Sequence, residues 1–165
     1  MLRDGEHFAL GGLGVQVLHT PGHTPARVTY VIGDCAIVGD TLFMPDYGTA
    51  RADFPGGDAG GLYRSIRRIL DLPNETCFCM CPDYAPGDRE PAWETTVAEQ
   101  RRDNVQVCDG VDEAQFIRKR EARDRSLDMP SLILSAVQVN IRAGRFPKTE
   151  SNGVCYLKIP INVLN

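Results

Sequence analysis

Val17-Leu18-His19-Thr20-Pro21-Gly22-His23-Thr24-Pro25 is the stretch on which the reading of this chain turns. An apolar strand runs into a Pro-Gly turn, and His23 is presented at the strand end. Pro21 fixes φ, and Gly22 permits a backbone conformation that other residues avoid. Such a turn aims an imidazole rigidly, and a neutral imidazole is a common metal ligand. Taken alone, a turn histidine need bind nothing. A second segment, Val38-Gly39-Asp40-Thr41-Leu42-Phe43, ends another apolar strand with Asp40 first in the loop. By itself Asp40 could simply cap that turn. Together, a strand-end imidazole and a strand-end carboxylate are the usual material of a metal site.

Working outward, the front half reads as strands. His7–Leu10 and Val15–His19 flank a glycine-rich turn, and Arg27–Ile32 pairs with Cys35–Val38 across Gly33-Asp34. A long loop, Asp40 to Gly57, follows; structureless loops of that length are usually functional or mobile. Asp58 can cap a helix reaching Leu70, with Leu62, Ile66, Ile69 and Leu70 on one face. Thr76–Cys81 reads as a strand, Trp93–Arg102 as a helix and Asp112–Ser126 as another, before an apolar tail from Pro130 to Asn165 broken by Pro and Gly. Strand pairs giving way to alternating helix and strand indicate an α/β layered fold.

Composition bounds the function. With 165 residues, 42% apolar and 24% charged, the chain has the makeup of one globular domain. Eighteen Lys plus Arg against 22 Asp plus Glu, a net charge of −4, give no electrostatic reason to expect nucleic acid. No apolar run is long enough to span a membrane, and the polar start is unlike a signal peptide. Six cysteines could suggest disulfides, but no CxxC pair occurs and three cysteines alternate as Cys77-x-Cys79-x-Cys81. Reduced thiols and a cytoplasmic location are expected. At period two these cysteines share one strand face, either as small buried side chains or as soft ligands. The basic run Arg118-Lys119-Arg120, interleaved with acids, reads as a solvated helix face, and Trp93 as a core anchor.

TPGHTP, then GDTLF, ARADF, LYRSIRRILDLP, a strand ending in PDY, TTVAEQRRDN and NIRAG resemble, in that order, the metallo-β-lactamase superfamily. The resemblance leans to the glyoxalase II and persulfide dioxygenase branch. It implies a partial αββα sandwich, mainly the second sheet with its flanking helices, as one domain over residues 1–165. The matching positions make His23 and Asp40 metal ligands, and Arg51 and Tyr84 binding residues for a glutathione-derived small molecule. Arg forks suit the carboxylates of such an anion. The family's HxHxDH motif is absent, and its histidine before Asp-Tyr is Pro82 here. Mononuclear iron chemistry does not need that histidine; a dinuclear hydrolase does.

The resemblance therefore implies a persulfide dioxygenase that uses one iron to oxidise glutathione persulfide to sulfite, with this chain inactive alone. The alternatives are a zinc-dependent hydroxyacylglutathione hydrolase of glyoxalase II type, and a non-catalytic remnant or subunit. Cys81 could replace the ligand lost at Pro82. The face that would meet the missing sheet should expose apolar side chains, open to a second copy of the chain or to a complementing N-terminal segment.

Overall fold

The structure, a computed structural model, describes residues 2–159. The chain divides into two compact units, residues 1–126 and 127–165. Met1 and residues 160–165, the end of the expected apolar tail, lie outside the described residues.

The first unit is built on one six-stranded sheet in sequence order: β1 (His7–Leu10), β2 (Leu13–His19), β3 (Val28–Ile32), β4 (Cys35–Ile37), β5 (Cys77–Cys79) and β6 (Glu94–Thr96). All neighbours are antiparallel except β4 and β5, which are parallel. A parallel pair needs a crossover, and helix α1 (Ala59–Leu70) lies within it. Asp58 caps α1 by accepting from the amides of Gly60 and Gly61. Its apolar stripe, Leu62, Ile66, Ile69 and Leu70, is buried against Leu18, Ala36 and Phe78 of the sheet. The α/β architecture and the α1 boundaries are as the sequence indicates.

Strand alternation decides what each sheet face does. Ala36 and Phe78 point into the helix-covered core, so Cys35, Ile37, Cys77 and Cys79 face the other way. Phe8 and Tyr30, paired edge to face, share that second face. Leu10, Leu13 and Ile37 are exposed there, while Val15 and Val17 on the same face are buried.

Three sequence expectations are corrected. Trp93 is 65% exposed and anchors no core. The segment read as a helix from Trp93 instead forms β6 first, and helix α2 (Val97–Asp103) starts only after Thr96. Thr96 and Glu99 make a reciprocal capping box, which fixes that boundary. On helix α3 (Glu113–Asp124), capped by Asp112, Arg120 is not solvated but 2% exposed. It forms an ion pair with Asp124 at 2.6 Å. Arg120 also donates to the Thr49 carbonyl, and Asp124 accepts from the Ala52 amide. This pair therefore grips the loop between β4 and α1 from both sides.

The second unit holds helix α4 (Ile133–Asn140). Gln138 donates to the Lys158 carbonyl and accepts from the Lys158 amide. None of its described residues is buried. Among the described residues no helix is long and apolar enough to cross a membrane.

Two predictions follow from the charged groups. Asp124→Ala leaves Arg120 buried without its counter-ion, which costs about 3–5 kcal/mol. Urea unfolding should show that loss, with a melting temperature lower by on the order of 10 °C; an unchanged midpoint would refute it. The second concerns Asp83. Arg89, helped by the Ala92 and Ala85 amides, holds its carboxyl well below the usual range. A carboxyl depressed on folding stabilises above its unfolded value of about 4 and loses that contribution as pH falls. Asp83→Asn should thus be less stable than the parent at pH 7, and the gap should narrow through acid. A gap constant with pH would contradict this.

Candidate metal centre at one sheet edge

β2 and β4 both run antiparallel to β3, and β5 runs parallel to β4. The ends of β2, β4 and β5 therefore emerge at the same edge of the sheet. His23 lies in the loop after β2, Asp40 after β4 and Tyr84 after β5. The topology alone brings these three loops to one edge.

The His23 turn is held against α1. Gly22 has φ +138°, and a Cβ there would come within 2.3 Å of the Leu62 backbone. No other residue allows so close an approach. Ser65 donates to the Pro21 carbonyl at 2.6 Å, and the Asp58 amide to the Gly22 carbonyl at 2.8 Å. His23 Nδ1 lies 2.7 Å from the Arg51 carbonyl. A carbonyl only accepts, so Nδ1 carries a proton, and in the neutral ring Nε2 then keeps the lone pair. The ring also packs on Phe54 at 5.2 Å. An imidazole fixed through one nitrogen by a backbone carbonyl is oriented as metal-binding histidines commonly are.

Asp40 sits in a short 3-10 turn, Gly39–Thr41. Arg27, at the close of the His23 loop, reaches it: Nη2 to Oδ2 is 2.5 Å. No local pattern in the sequence marks this partner. Arg51, read as a substrate cation, places Nε and Nη2 each 2.6 Å from the carboxylate of Asp53 and lies over Phe54. That fork holds the Asp53 carboxyl below its ordinary range. Tyr84 stacks on Tyr47, with ring centroids 4.2 Å apart, and packs edge-on against Phe43. Burial, then Tyr47 and Asp40, push its phenol upward. Asp83, bonded to Arg89 and to the amides of Ala85 and Ala92, anchors the loop that carries Tyr84. Beside Tyr47 lies a depression of about 370 Å³ that includes Lys119 and Arg123 in its wall. In the sequence both cations read as part of a solvated helix face.

A different set of donors converges on the sheet itself. The sulfurs of Cys35, Cys77 and Cys79 lie within 4.8 Å of one another. They are the one such group of metal-capable side chains among the described residues, so the chain holds a partial metal-binding cluster. Cys35 was missed because its partners are more than forty positions away, brought alongside by the β4–β5 pairing. Cys81 is exposed and lies outside the group. Burial, and then Cys79, push the Cys35 thiol up to about 12.

Comparison with known proteins bears on the edge site. A family profile described as the metallo-beta-lactamase superfamily matches residues 2–81. A probable metallo-hydrolase of Burkholderia pseudomallei is 54% identical over 99% of this chain and 59% of its own length. The mitochondrial persulfide dioxygenase ETHE1 of Homo sapiens is 32% identical over 87% of this chain and 53% of its length. The crystal structure of ETHE1 from Myxococcus xanthus superimposes with a TM-score of 0.78 at 36% identity, covering 87% of this chain and 60% of that one. The chain thus spans little more than half the length of these relatives. The ordered motifs, the sheet with its flanking helices and these similarities agree: the chain belongs to the metallo-β-lactamase superfamily and resembles its persulfide dioxygenase and glyoxalase II branch.

Proposed function

We propose that this chain supplies the His23 and Asp40 portion of a mononuclear iron centre that oxidises glutathione persulfide to glutathione and sulfite. The observation that carries the reading is the His23–Arg51 hydrogen bond, which leaves Nε2 as a donor at the sheet edge from which Asp40 also emerges. Pro82 offers no donor where a dinuclear hydrolase of the branch needs one. The resemblance to ETHE1 from Myxococcus xanthus supports the dioxygenase side.

The donors fit iron in type but not in number. A catalytic iron or zinc normally takes three protein ligands. His23 and Asp40 make two, and Asp40 is engaged by Arg27. No reaction step follows from this chain alone; the reading requires a third donor from a complementing segment or a second copy. Within the chain, the roles are positional. Tyr84 and Tyr47 offer an aromatic wall beside Asp40, and Lys119 and Arg123 offer cations for the carboxylates of a glutathione-derived anion. Arg51 shapes the site through its backbone carbonyl, its fork being directed at Asp53.

A second reading, a metallo-hydrolase acting on a hydroxyacylglutathione thioester, is favoured by the higher identity to the Burkholderia protein. The two separate in one experiment. The chain is prepared alone and together with the N-terminal part of that Burkholderia relative, then loaded with iron or zinc. Alone, it should retain little iron and turn nothing over. The complemented protein should bind iron, consume dioxygen with glutathione persulfide and release sulfite, and lose iron on His23→Ala. Thioester hydrolysis without dioxygen uptake would establish the hydrolase instead. Full iron retention by the isolated chain, lost on His23→Ala, would overturn the two-donor account.

Arg27 gives a prediction of opposite sign. Its guanidinium competes with any cation for Asp40. Arg27→Gln should increase the iron retained after dialysis by the isolated chain, and a decrease would show that Arg27 holds Asp40 in place for the metal.

A further inference from the structure

We propose that Cys35, Cys77 and Cys79 form a second metal site, independent of the sheet-edge centre, for a single thiophilic d10 ion such as Cu+ or Zn2+. The argument starts from the register. β4 and β5 are parallel, with Cys35 opposite Cys77 and Ile37 opposite Cys79. Alternation sends Ala36 and Phe78 into the core and turns all three thiols to the opposite face. None of the three is fully buried, and none belongs to the hydrophobic core cluster. Packing against α1 therefore does not account for them.

The spacing suits coordination. Zn–S bonds of about 2.3 Å put thiolates of one shell roughly 3.8–4.0 Å apart, for tetrahedral or trigonal arrangements. All three sulfurs already lie within 4.8 Å of one another. Cys35 and Cys79 are closer than that, at 2.9 Å, and need to part by about 1 Å, which a small rotation of either side chain provides. Soft thiolates select Cu+ and Zn2+ over the hard cations that carboxylates hold. Three donors complete a trigonal shell for Cu+, and for Zn2+ leave one position for water. The ligands come from two strands whose backbones are already paired, so little ordering is required to bind. The thiol protons pass to solvent as the ion enters.

The test uses the whole chain, reduced and metal-free, titrated anaerobically with Cd2+ as a spectroscopic stand-in. One equivalent should bring up the ultraviolet absorption of cadmium–thiolate bonds. Alkylation followed by mass mapping then reads each cysteine in the unmodified protein. Cadmium should slow modification of Cys35, Cys77 and Cys79 at least tenfold and leave Cys81, Cys108 and Cys155 unchanged. A variant with Cys81, Cys108 and Cys155 replaced by Ser should bind as the parent does, while Cys35→Ser should lose the absorption and His23→Ala should keep it. Equal alkylation with and without cadmium would overturn the site. So would protection confined to Cys81, or anaerobic isolation of the chain with a Cys35–Cys79 disulfide. Loss of iron from the complemented protein on His23→Ala, with cadmium binding by the same variant retained, would separate this proposal from the catalytic reading.

Discussion

Arg120 is the residue on which the arrangement of the sheet-edge site depends. Its guanidinium is sealed from water and satisfied by Asp124, the Thr49 carbonyl and Gln106. A buried charge tolerates no missing partner, so the pair fixes α3 and the loop together. Asp124 takes the Ala52 amide and Arg120 the Thr49 carbonyl, and these two positions bracket Arg51. The Arg51 carbonyl in turn sets the His23 ring. A helix nearly a hundred residues later in the chain thereby decides which imidazole nitrogen faces the site.

That relay explains what could and could not be read in advance. β1 to β4 follow from alternation and turn glycines, and α1 from its capping Asp58 and apolar stripe, all local signals. His23, Asp40 and Tyr84 were legible as loop positions because the sheet order delivers three strand ends to one edge. Their partners were not. Nothing in the sequence joins Arg27 to Asp40, and the charged rhythm of Arg118–Arg125 conceals that Arg120 and Asp124 are buried. Asp53 could be foreseen as a competitor for Arg51, being two residues away, and the fork between them is what the structure contains. Trp93 failed for the opposite reason: size suggested a core position, but it stands beside a short edge strand.

The two faces of the sheet set different demands on the same residues. Toward α1 the strands offer Ala36 and Phe78, shapes that close-pack and admit no donor atom. Away from it they offer Leu10, Leu13, Ile37 and three thiols. Because side chains alternate strictly, neither set can be altered by sliding β5 one residue along β4. Such a slip would bring Cys77 and Cys79 into the core and turn Phe78 out. The large buried ring at Phe78 thus acts as a register pin. It holds Cys77 opposite Cys35, and so keeps the three sulfurs together on the open face.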